Sequence, residues 1–339
     1  MTVEMAAALR FGIKPKEITA VRRAFRVVSD QGIFALKESR QREADIQFIH
    51  AAKEHLYKQG MKNIDRYVLD EEGRPYIDIE GRFFVMSPWV ESREAHYEST
   101  ADVAAAAAQL AKLHQRAQGF EPPPVSERIL WSTWPQLWQR RLDLLEKYRQ
   151  IAEEESSLSR FARRFLRHID RYHEQGREAL ELLSQCNYEQ VCSRYREVGS
   201  ICHHDYSERN VLFTPEGSIH LVDFDYCICD LPIHDLVNFL RRVAKFTDYD
   251  GDVVCLALAT YLDRNPLPLE ELQLFVPLWL WPQKFWEVAH QYYGETRTRP
   301  RNKYADRLRR RCRTRKQERR LLEQVARTFK LELGERVPE

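Results

Sequence analysis

The sequence has no long apolar run. Its most apolar stretch, Leu274 to Trp281, is too short to cross a bilayer and is interrupted by Pro277. The first residues also lack the long apolar stretch behind a basic flank that marks a signal peptide. We therefore expect neither a membrane partner nor a secretory leader.

Paired cysteine motifs are absent as well. The chain has seven cysteines, an odd number, and no two of them form a C-x-x-C pair. A chain of 339 residues can bury a sizeable core without disulfides, so this pattern favours a reducing compartment. We interpret Cys227 and Cys229 as small buried residues rather than a redox site.

An excess of one charge is missing from the chain as a whole. Its 53 Lys and Arg residues against 51 Asp and Glu give a formal net charge of +2, which argues against a whole-molecule binder of nucleic acid or membrane. The basicity is local, because residues 297–320, called the basic segment below, hold 13 basic and 2 acidic residues. This segment predicts an acidic partner. Nucleic acid is not the expected one, since no reading motif accompanies it.

From Ile18 to Val90 the chain has the pattern of an antiparallel sheet with one helix. Turn signals at Ser29–Gly32 and Asp70–Gly73 separate short apolar or alternating runs. Apolar residues recur at helical spacing between Glu43 and Gln59. The predicted strands are Ile18–Val21, Phe25–Val28, Ile33–Lys37, Tyr67–Leu69, Tyr76–Ile79 and Phe83–Met86.

After Pro88 the pattern changes to helix. An alanine-rich helical segment begins at Ser99 or Thr100, either of which can cap it, and further helical patterns cover Trp131–Tyr148 and Leu158–Leu183. The sequence therefore predicts an α+β fold with two lobes, a small β-rich lobe at residues 1–90 and a larger, mostly helical lobe at residues 91–339. The second lobe includes the basic segment.

The stretch from Ile201 to Asp235 carries the chemistry. Asp205 is followed five residues later by Asn210, and two nearly equal strand patterns, Val211–Phe213 and Ile219–Val222, lead to Asp223. A hairpin would bring Asp223 beside Asn210. The Asp223 carboxylate and the Asn210 amide oxygen are hard oxygen ligands, which suit Mg²⁺ carrying the phosphates of a nucleotide. Asp205, on the loop leading in, is then placed to accept a proton from an attacking hydroxyl.

This pattern resembles the H-x-D-x-x-x-x-N and D-F-x motifs of the kinase superfamily. The resemblance implies that Lys37, at the end of a strand, holds the phosphates of ATP, and that Glu43 pairs with it. Asp45 is the competing partner, because the helix sequence does not fix which acid faces inward. Backbone groups from Ser87 to Trp89 would hold the adenine.

Two positions depart from the kinase pattern. The expected place of the glycine-rich phosphate loop reads Arg22-Arg23-Ala24, so either the two arginines substitute by charge or nucleotide binding is weak. Asp225 stands where a glycine usually follows the phenylalanine, and we consider it a further metal ligand.

Other residues place the chain within the superfamily. His204 occupies the position of the arginine that reads a phosphorylated activation loop, an A-P-E motif is absent, and Leu110-Ala111-Lys112-Leu113-His114 lies on the first helix of the larger lobe. These features resemble the aminoglycoside phosphotransferase and choline kinase branch, whose members phosphorylate small hydroxyl compounds. By this resemblance Asp235 anchors the catalytic loop and His203 packs beneath it.

A closer resemblance, from about Ile18 onward, is to the CotS family of spore-coat proteins. It includes Phe83–Glu91, the ICHHD to LPIHDL stretch, Leu267–Leu272 and Pro282–Trp286. The resemblance implies location in the mother-cell cytoplasm and the spore coat, with ATP and Mg²⁺ as cofactors and an unidentified hydroxyl acceptor. Other coat proteins are candidate partners of the basic segment. The alternative is a structural coat scaffold with little or no catalysis.

Two alternative readings concern other residue clusters. His203, His204, Asp205 and His220 offer zinc-ligating groups, but adjacent histidines point in different directions and no i, i+4 pair supports a zinc site. The late aromatic residues either line a substrate pocket or pack in a core, and core packing is the favoured interpretation. These residues are Trp279, Trp281, Phe285, Trp286, Tyr292 and Tyr293.

Overall fold

A computed structural model describes residues 2–123, 127–294 and 301–334, with the side chains of residues 301 and 302 left out. Its strands are β1 (Pro15–Val21), β2 (Ala24–Ser29), β3 (Gly32–Ser39), β4 (Ile77–Ile79), β5 (Arg82–Pro88), β6 (Arg93–Glu94), β7 (Val211–Phe213) and β8 (Ile219–Leu221). Its helices are α1 (Val3–Arg10), α2 (Glu43–Lys58), α3 (Thr100–Ala117), α4 (Trp134–Glu153), α5 (Arg160–Gln185), α6 (Tyr188–Val198), α7 (Pro232–Phe246), α8 (Gly251–Arg264), α9 (Leu269–Leu272), α10 (Phe275–Leu280), α11 (Gln283–Tyr293) and α12 (Arg301–Phe329). Within the described ranges, no helix is both long enough and apolar enough to cross a membrane.

The first five strands form one antiparallel sheet in the order β1-β2-β3-β5-β4. The predicted α+β fold, with an antiparallel sheet and a mostly helical remainder, is therefore confirmed. Helix α1, which the sequence reasoning did not predict, packs its apolar face on this sheet. Its start is encoded by Thr2, whose hydroxyl accepts the Met5 N–H at 3.3 Å. The buried core between them consists of Ala7, Ala8, Phe11, Ile13, Val27, Leu36, Ile77, Phe84 and Met86.

One predicted strand, Tyr67–Leu69, is wrong. Strand β4 already pairs with β5 as far as Phe84 on this side. Beyond that point, residues 67–69 make one backbone hydrogen bond with β5, from the Val68 N–H to the Met86 carbonyl at 2.7 Å. Directly afterwards, the Asp70 carboxylate accepts two backbone N–H groups and closes a turn. A single bridging bond before a tight turn is too short a ladder to form a strand.

The predicted helices α2 and α3 are confirmed. Helix α2 runs from Glu43 to Lys58 with Ile46, Ile49 and Leu56 buried, as the helical spacing requires. Helix α3 begins after Ser99, whose hydroxyl accepts the Asp102 N–H at 3.3 Å.

The described residues cluster into two compact units. The sheet unit comprises Met1–Leu130, Tyr195–Phe239 and Thr260–Asn265, and the helical unit comprises Trp131–Arg194, Leu240–Ala259 and Pro266–Glu339. Both β-sheets lie in the sheet unit. The predicted division at residue 90 into a nucleotide-binding lobe and a catalytic lobe concerns function and stays a prediction.

The helical unit has an aromatic core. Trp138 stacks on Trp281 with ring centroids 4.7 Å apart, and Tyr172 stacks on Phe285 at 4.1 Å. Trp279, Trp281, Phe285 and Tyr292 are all buried. Core packing is therefore confirmed for these four residues of the late aromatic cluster, while Trp286 and Tyr293 are half-buried.

Candidate functional site

A short hairpin positions the first part of the site. Strands β7 and β8 pair in antiparallel register, with Val211 opposite Leu221, and the Val222 N–H donates to the Asn210 carbonyl at 3.1 Å. Asp223 follows directly and therefore lies beside Asn210, as the equal strand lengths predicted. Strand β6 adds a third, antiparallel strand to this pair.

Asp205 and Asn210 are joined by their side chains. The Asn210 amide nitrogen donates to the Asp205 backbone carbonyl at 2.9 Å and to its carboxylate Oδ2 at 3.2 Å. Asn210 is buried, whereas Asp205 is partly exposed. The loop thus holds the Asp205 carboxylate in a fixed direction with access to solvent, a suitable arrangement for a group that accepts a proton.

Lys37, Asp223 and Asp225 form a compact ionic cluster. The Lys37 Nζ donates to Asp223 Oδ1 and to Asp225 Oδ2, each at 2.7 Å. Burial lowers the pKa of Lys37, but the carboxylates of Asp225 and Asp223 outweigh it, so the pKa lies above its ordinary value. Two carboxylates at the end of the hairpin therefore converge on one positive charge.

The two acids considered as partners of Lys37 contact other groups. Glu43 accepts a hydrogen bond from the Tyr76 hydroxyl. Asp45 forms ion pairs with Arg42 at 2.8 Å and with Arg128 at 2.7 Å. Among the described residues, the ion pairs of Lys37 are thus with Asp223 and Asp225, and the expected Lys37–Glu43 pair is not formed in this structure.

Asp235 anchors the loop that carries Asp205. Its carboxylate accepts the backbone N–H groups of His203 at 2.5 Å and His204 at 2.8 Å, and it lies 3.4 Å from His114 Nε2. Burial raises its pKa, but the hydrogen bond with His114 and the neighbouring histidines hold the Asp235 pKa at about 2. The expected anchoring role of Asp235 is confirmed.

The two histidines of the loop are also accounted for. His203 is buried, with its Nε2 3.0 Å from the Val222 carbonyl and its ring against Phe224 at a centroid distance of 4.5 Å. Burial, followed by the nearby His234, lowers the pKa of His204 to about 4, so this ring is neutral at pH 7. His203 packs beneath the loop as expected, which leaves its ring engaged with the protein rather than with a metal.

The expected phosphate loop is a two-residue turn. Val21 pairs directly with Ala24, so that Arg22 and Arg23 alone connect β1 to β2. Arg22 adopts the left-handed conformation with φ 56° and forms an ion pair with Glu94. A turn of this length offers few backbone N–H groups to a phosphate, so any phosphate contact here depends on the two guanidinium groups.

The segment expected to hold adenine continues the sheet. Ser87 pairs with Ala35, and the Trp89 N–H donates to the Ile33 carbonyl at 2.9 Å. The Arg26 guanidinium lies 5.8 Å from the centre of the Trp89 ring. The Trp89 N–H is therefore engaged within the sheet, and adenine binding by the remaining groups of residues 87–89 stays a prediction.

Three buried or half-buried residues near the site were missed by the sequence reasoning. Arg128 donates to the carbonyls of Asp225 at 2.8 Å and Cys227 at 2.9 Å and thereby fixes the backbone after Asp223. Lys53 and Asp65 pair with each other at 2.9 Å, and Asp65 accepts the Asp223 N–H at 3.0 Å. An arginine in a loop gives no sequence signal, but a lysine on the apolar face of α2 could have been noticed.

The chain has a kinase-like fold, which it shares with two solved phosphotransferases. An aminoglycoside phosphotransferase from Alicyclobacillus acidocaldarius has a TM-score of 0.81, with 20% identity and coverage of 97% of both chains. Spectinomycin phosphotransferase APH(9)-Ia, solved in complex with ADP and spectinomycin, has a TM-score of 0.65, with 14% identity and coverage of 89% of this chain and 91% of that chain. At these identities the likeness concerns the fold.

The chain belongs to the family described as "Spore coat putative kinase YutH", whose family model matches residues 6–325. It is also 26% identical over 277 residues to "Spore coat protein S" of Bacillus subtilis (strain 168), which covers 80% of this chain and 77% of that protein. The resemblance to the spore-coat family and to its kinase-like fold is thus confirmed.

Proposed function

We propose that the protein is an ATP- and Mg²⁺-dependent phosphotransferase that acts on a hydroxyl acceptor, with a small molecule as the expected acceptor. The observation that carries the proposal is the ionic cluster, in which Asp223 and Asp225 converge on Lys37 beside Asp205 and Asn210. The complex of the structurally similar spectinomycin phosphotransferase with ADP and spectinomycin supports it.

The donor set fits a magnesium ion. Asp223 and Asp225 already hold one cation, the Lys37 amine, between them at 2.7 Å from each. The Asn210 amide adds a neutral oxygen, and such oxygen donors are the ligands that Mg²⁺ prefers. When bound, Mg²⁺ neutralises the charge of the nucleotide phosphates.

The remaining roles follow from charge and position. Asp205 accepts the proton of the acceptor hydroxyl, while Asn210 holds its carboxylate in place. Lys37 binds the phosphates. Arg22 and Arg23 bind them through their positive charge, in place of the backbone N–H groups that a glycine-rich loop would offer. Phosphoryl transfer needs mainly positioning and charge stabilisation, so these few side chains suffice.

A calorimetric titration with Mg·ATP tests nucleotide binding. We expect binding by the native protein and its loss in Asp223→Ala. The matched control is Asp30→Ala, which removes a carboxylate whose side chain is 84% exposed in the turn between β2 and β3 and should leave binding unchanged. No binding by the native protein at millimolar nucleotide would exclude the proposed activity.

The acceptor is sought with labelled ATP against sugars, amino alcohols, aminoglycosides and coat proteins. In Asp205→Asn we expect transfer to fall by about 100-fold or more while Mg·ATP affinity is retained. Transfer that persists at the native rate in this variant would remove Asp205 from the mechanism.

A structural coat scaffold is the second candidate. The glycine-free, two-residue turn at Arg22 and Arg23 favours it, because such a turn cannot wrap a triphosphate as a glycine-rich loop does. The two candidates are separated by the Mg·ATP titration above. Either function is compatible with location in the spore coat, which the spore-coat relatives support, and with the expected location in the mother-cell cytoplasm.

The basic segment is proposed as a docking surface for an acidic coat protein. Its part within the described residues belongs to α12, where Tyr304 and Leu308 are fully buried and the Ala305 carbonyl accepts a hydrogen bond from Arg164 of α5 at 2.9 Å. Deleting the segment would therefore remove part of the core of the helical unit. Among residues 303–320 of α12, the exposed cations are Lys303, Arg310, Arg313, Lys316 and Arg320.

Charge reversal tests this surface without removing the helix. Arg313, Lys316 and Arg320 are spaced by three and four residues and share one face of α12. Their triple change to Glu is expected to abolish salt-sensitive capture of acidic coat proteins and to spare Mg·ATP affinity. The control is the same change at three exposed lysines of the sheet unit, Lys14, Lys16 and Lys58, since it alters net charge equally. Equal loss in both variants would refute a local docking surface.

A further inference from the structure

Lys53 is a buried cation on helix α2. Its side chain is 1% exposed, and its Nζ lies 2.9 Å from both the backbone carbonyl and the carboxylate Oδ1 of Asp65. The same amine lies 3.7 Å above the centre of the Tyr67 ring. Burying an ammonium group is costly unless it is paired, so this residue is held by a specific set of partners.

Asp65 links this lysine to the backbone of Asp223. The Asp65 Oδ2 accepts the Asp223 N–H at 3.0 Å. On the same segment, the Asp65 N–H donates to the Leu221 carbonyl at 3.2 Å, and the Leu221 N–H donates to the Asn63 carbonyl at 3.0 Å. Residues 63–65 therefore run along β8 and end at the residue that begins the ionic cluster.

Asp223 has an unfavourable backbone conformation. Its φ of 65° and ψ of 59° lie in the left-handed region, which costs an L-residue roughly 1–2 kcal/mol. Such a conformation persists only where surrounding groups enforce it. The Asp65 carboxylate does so from the backbone side, and Lys37 bonds the Asp223 side chain at 2.7 Å.

We infer that Lys53 and Asp65 are positioning residues that hold the Asp223 backbone in its left-handed conformation and so aim its carboxylate at the metal and nucleotide. Asp65 acts directly through the Asp223 N–H, and Lys53 acts by fixing the Asp65 carboxylate. The pair also ties helix α2 to the ionic cluster. The part of this inference that concerns metal rests on the proposed function, whereas the part that concerns the backbone does not.

The test compares Lys53→Met and Asp65→Asn with the native protein. The matched control is Lys62→Met, because Lys62 also lies over a ring, at 3.6 Å from the centre of Tyr57, but is exposed and donates to the nearby Tyr57 carbonyl at 2.9 Å. In both test variants we expect the Mg²⁺ concentration for half-maximal nucleotide binding to rise about 10- to 100-fold, with metal-free ATP affinity unchanged. The double variant should be no worse than either single variant, since the two residues act in series.

Hydrogen exchange of the Asp223 amide provides a readout without nucleotide. We expect exchange at this site to accelerate about tenfold or more in Asp65→Asn and Lys53→Met and to stay native in Lys62→Met. Unchanged exchange in folded Asp65→Asn would overturn the inference. If the native protein binds Mg·ATP, test variants that need no more Mg²⁺ than the native protein for half-maximal nucleotide binding would overturn it as well. If the native protein binds no Mg·ATP, the proposed function fails and the exchange result alone decides the positioning role. If Lys53→Met does not fold, Asp65→Asn decides it.

Discussion

Asp235 offers the sharpest test of how the loop carrying Asp205 is held. The side chain is fully buried and accepts two backbone N–H groups, from His203 and His204. In Asp235→Asn one of these two donors would face the amide NH₂ instead of an oxygen. Loss of charge-assisted hydrogen bonds and one unsatisfied buried N–H together predict a cost of about 3 kcal/mol in the free energy of unfolding.

The pH dependence gives a second, independent magnitude. The Asp235 pKa is lowered from 3.8 to about 2 in the folded protein. At about 1.4 kcal/mol for each tenfold change in the dissociation constant, this corresponds to roughly 2 kcal/mol of stability. Because the folded pKa is depressed, this stability is present above pH 4 and is lost as the pH falls toward 2. About 1 kcal/mol of it should be gone by pH 3.

Urea denaturation at pH 6 and pH 3 measures both quantities. The matched control is Asp252→Asn, since Asp252 also lies in the first turn of a helix, α8, but is exposed. We expect the control to cost less than about 1 kcal/mol, because it weakens an exposed interaction with the helix dipole, and the new amide oxygen can still accept the exposed hydrogen bond that Gln324 donates to Asp252 at 2.7 Å. A cost for Asp235→Asn no larger than the control, or the same cost at both pH values, would refute the anchoring role.

Two further predictions concern the sheet unit. Gly199→Ala is expected to lower the free energy of unfolding, measured in urea, by at least about 2 kcal/mol more than Gly217→Ala does. Both glycines have positive φ, but only the new Cβ at 199 would lie 2.5 Å from the Phe120 carbonyl oxygen. Equal costs would contradict this close approach. Glu43→Gln is expected to leave Mg·ATP affinity within about twofold of the native value, whereas Lys37→Met is expected to lower it about tenfold or more. The reason is that Lys37 pairs with the cluster carboxylates rather than with Glu43. Equal losses of affinity in calorimetry would restore Glu43 as the partner of Lys37.

The hairpin that carries the site could be predicted because its geometry is local. Two three-residue strands, β7 and β8, are joined by a turn in which Gly217 supplies a positive φ, and equal arms return the chain to its starting point. The same reasoning explains the confirmed hairpin β2–β3, whose turn was predicted at Ser29–Gly32. Such elements depend on neighbours a few residues away, which the sequence displays directly.

The partners of the site's charged groups could not be predicted, because they are distant in sequence. Asp65 and Asp223 are 158 residues apart, and Arg128 reaches a carbonyl 97 residues away. Helical spacing did predict the buried face of α2, and Lys53 lies on it, four residues after Ile49. A charge on an apolar face indicates a buried partner but does not name it, just as the sequence of α2 did not decide between Glu43 and Asp45 for Lys37.

The ionic cluster finally bears on the choice between enzyme and scaffold. Lys37, Asp223 and Asp225 are all half-buried, with side chains 27%, 36% and 14% exposed. Groups of this kind contribute little net stability, and apolar replacements of similar size are often neutral or stabilising by roughly 1–4 kcal/mol. A protein that needed only the fold would therefore gain nothing from the cluster.

We expect the triple variant Lys37→Met, Asp223→Asn and Asp225→Leu to unfold at the same or a higher urea concentration while losing Mg·ATP binding. Asn is chosen because it tolerates the left-handed backbone at 223. A variant that is markedly less stable would mean that the cluster serves folding, and its charges would then no longer favour an enzyme over a scaffold.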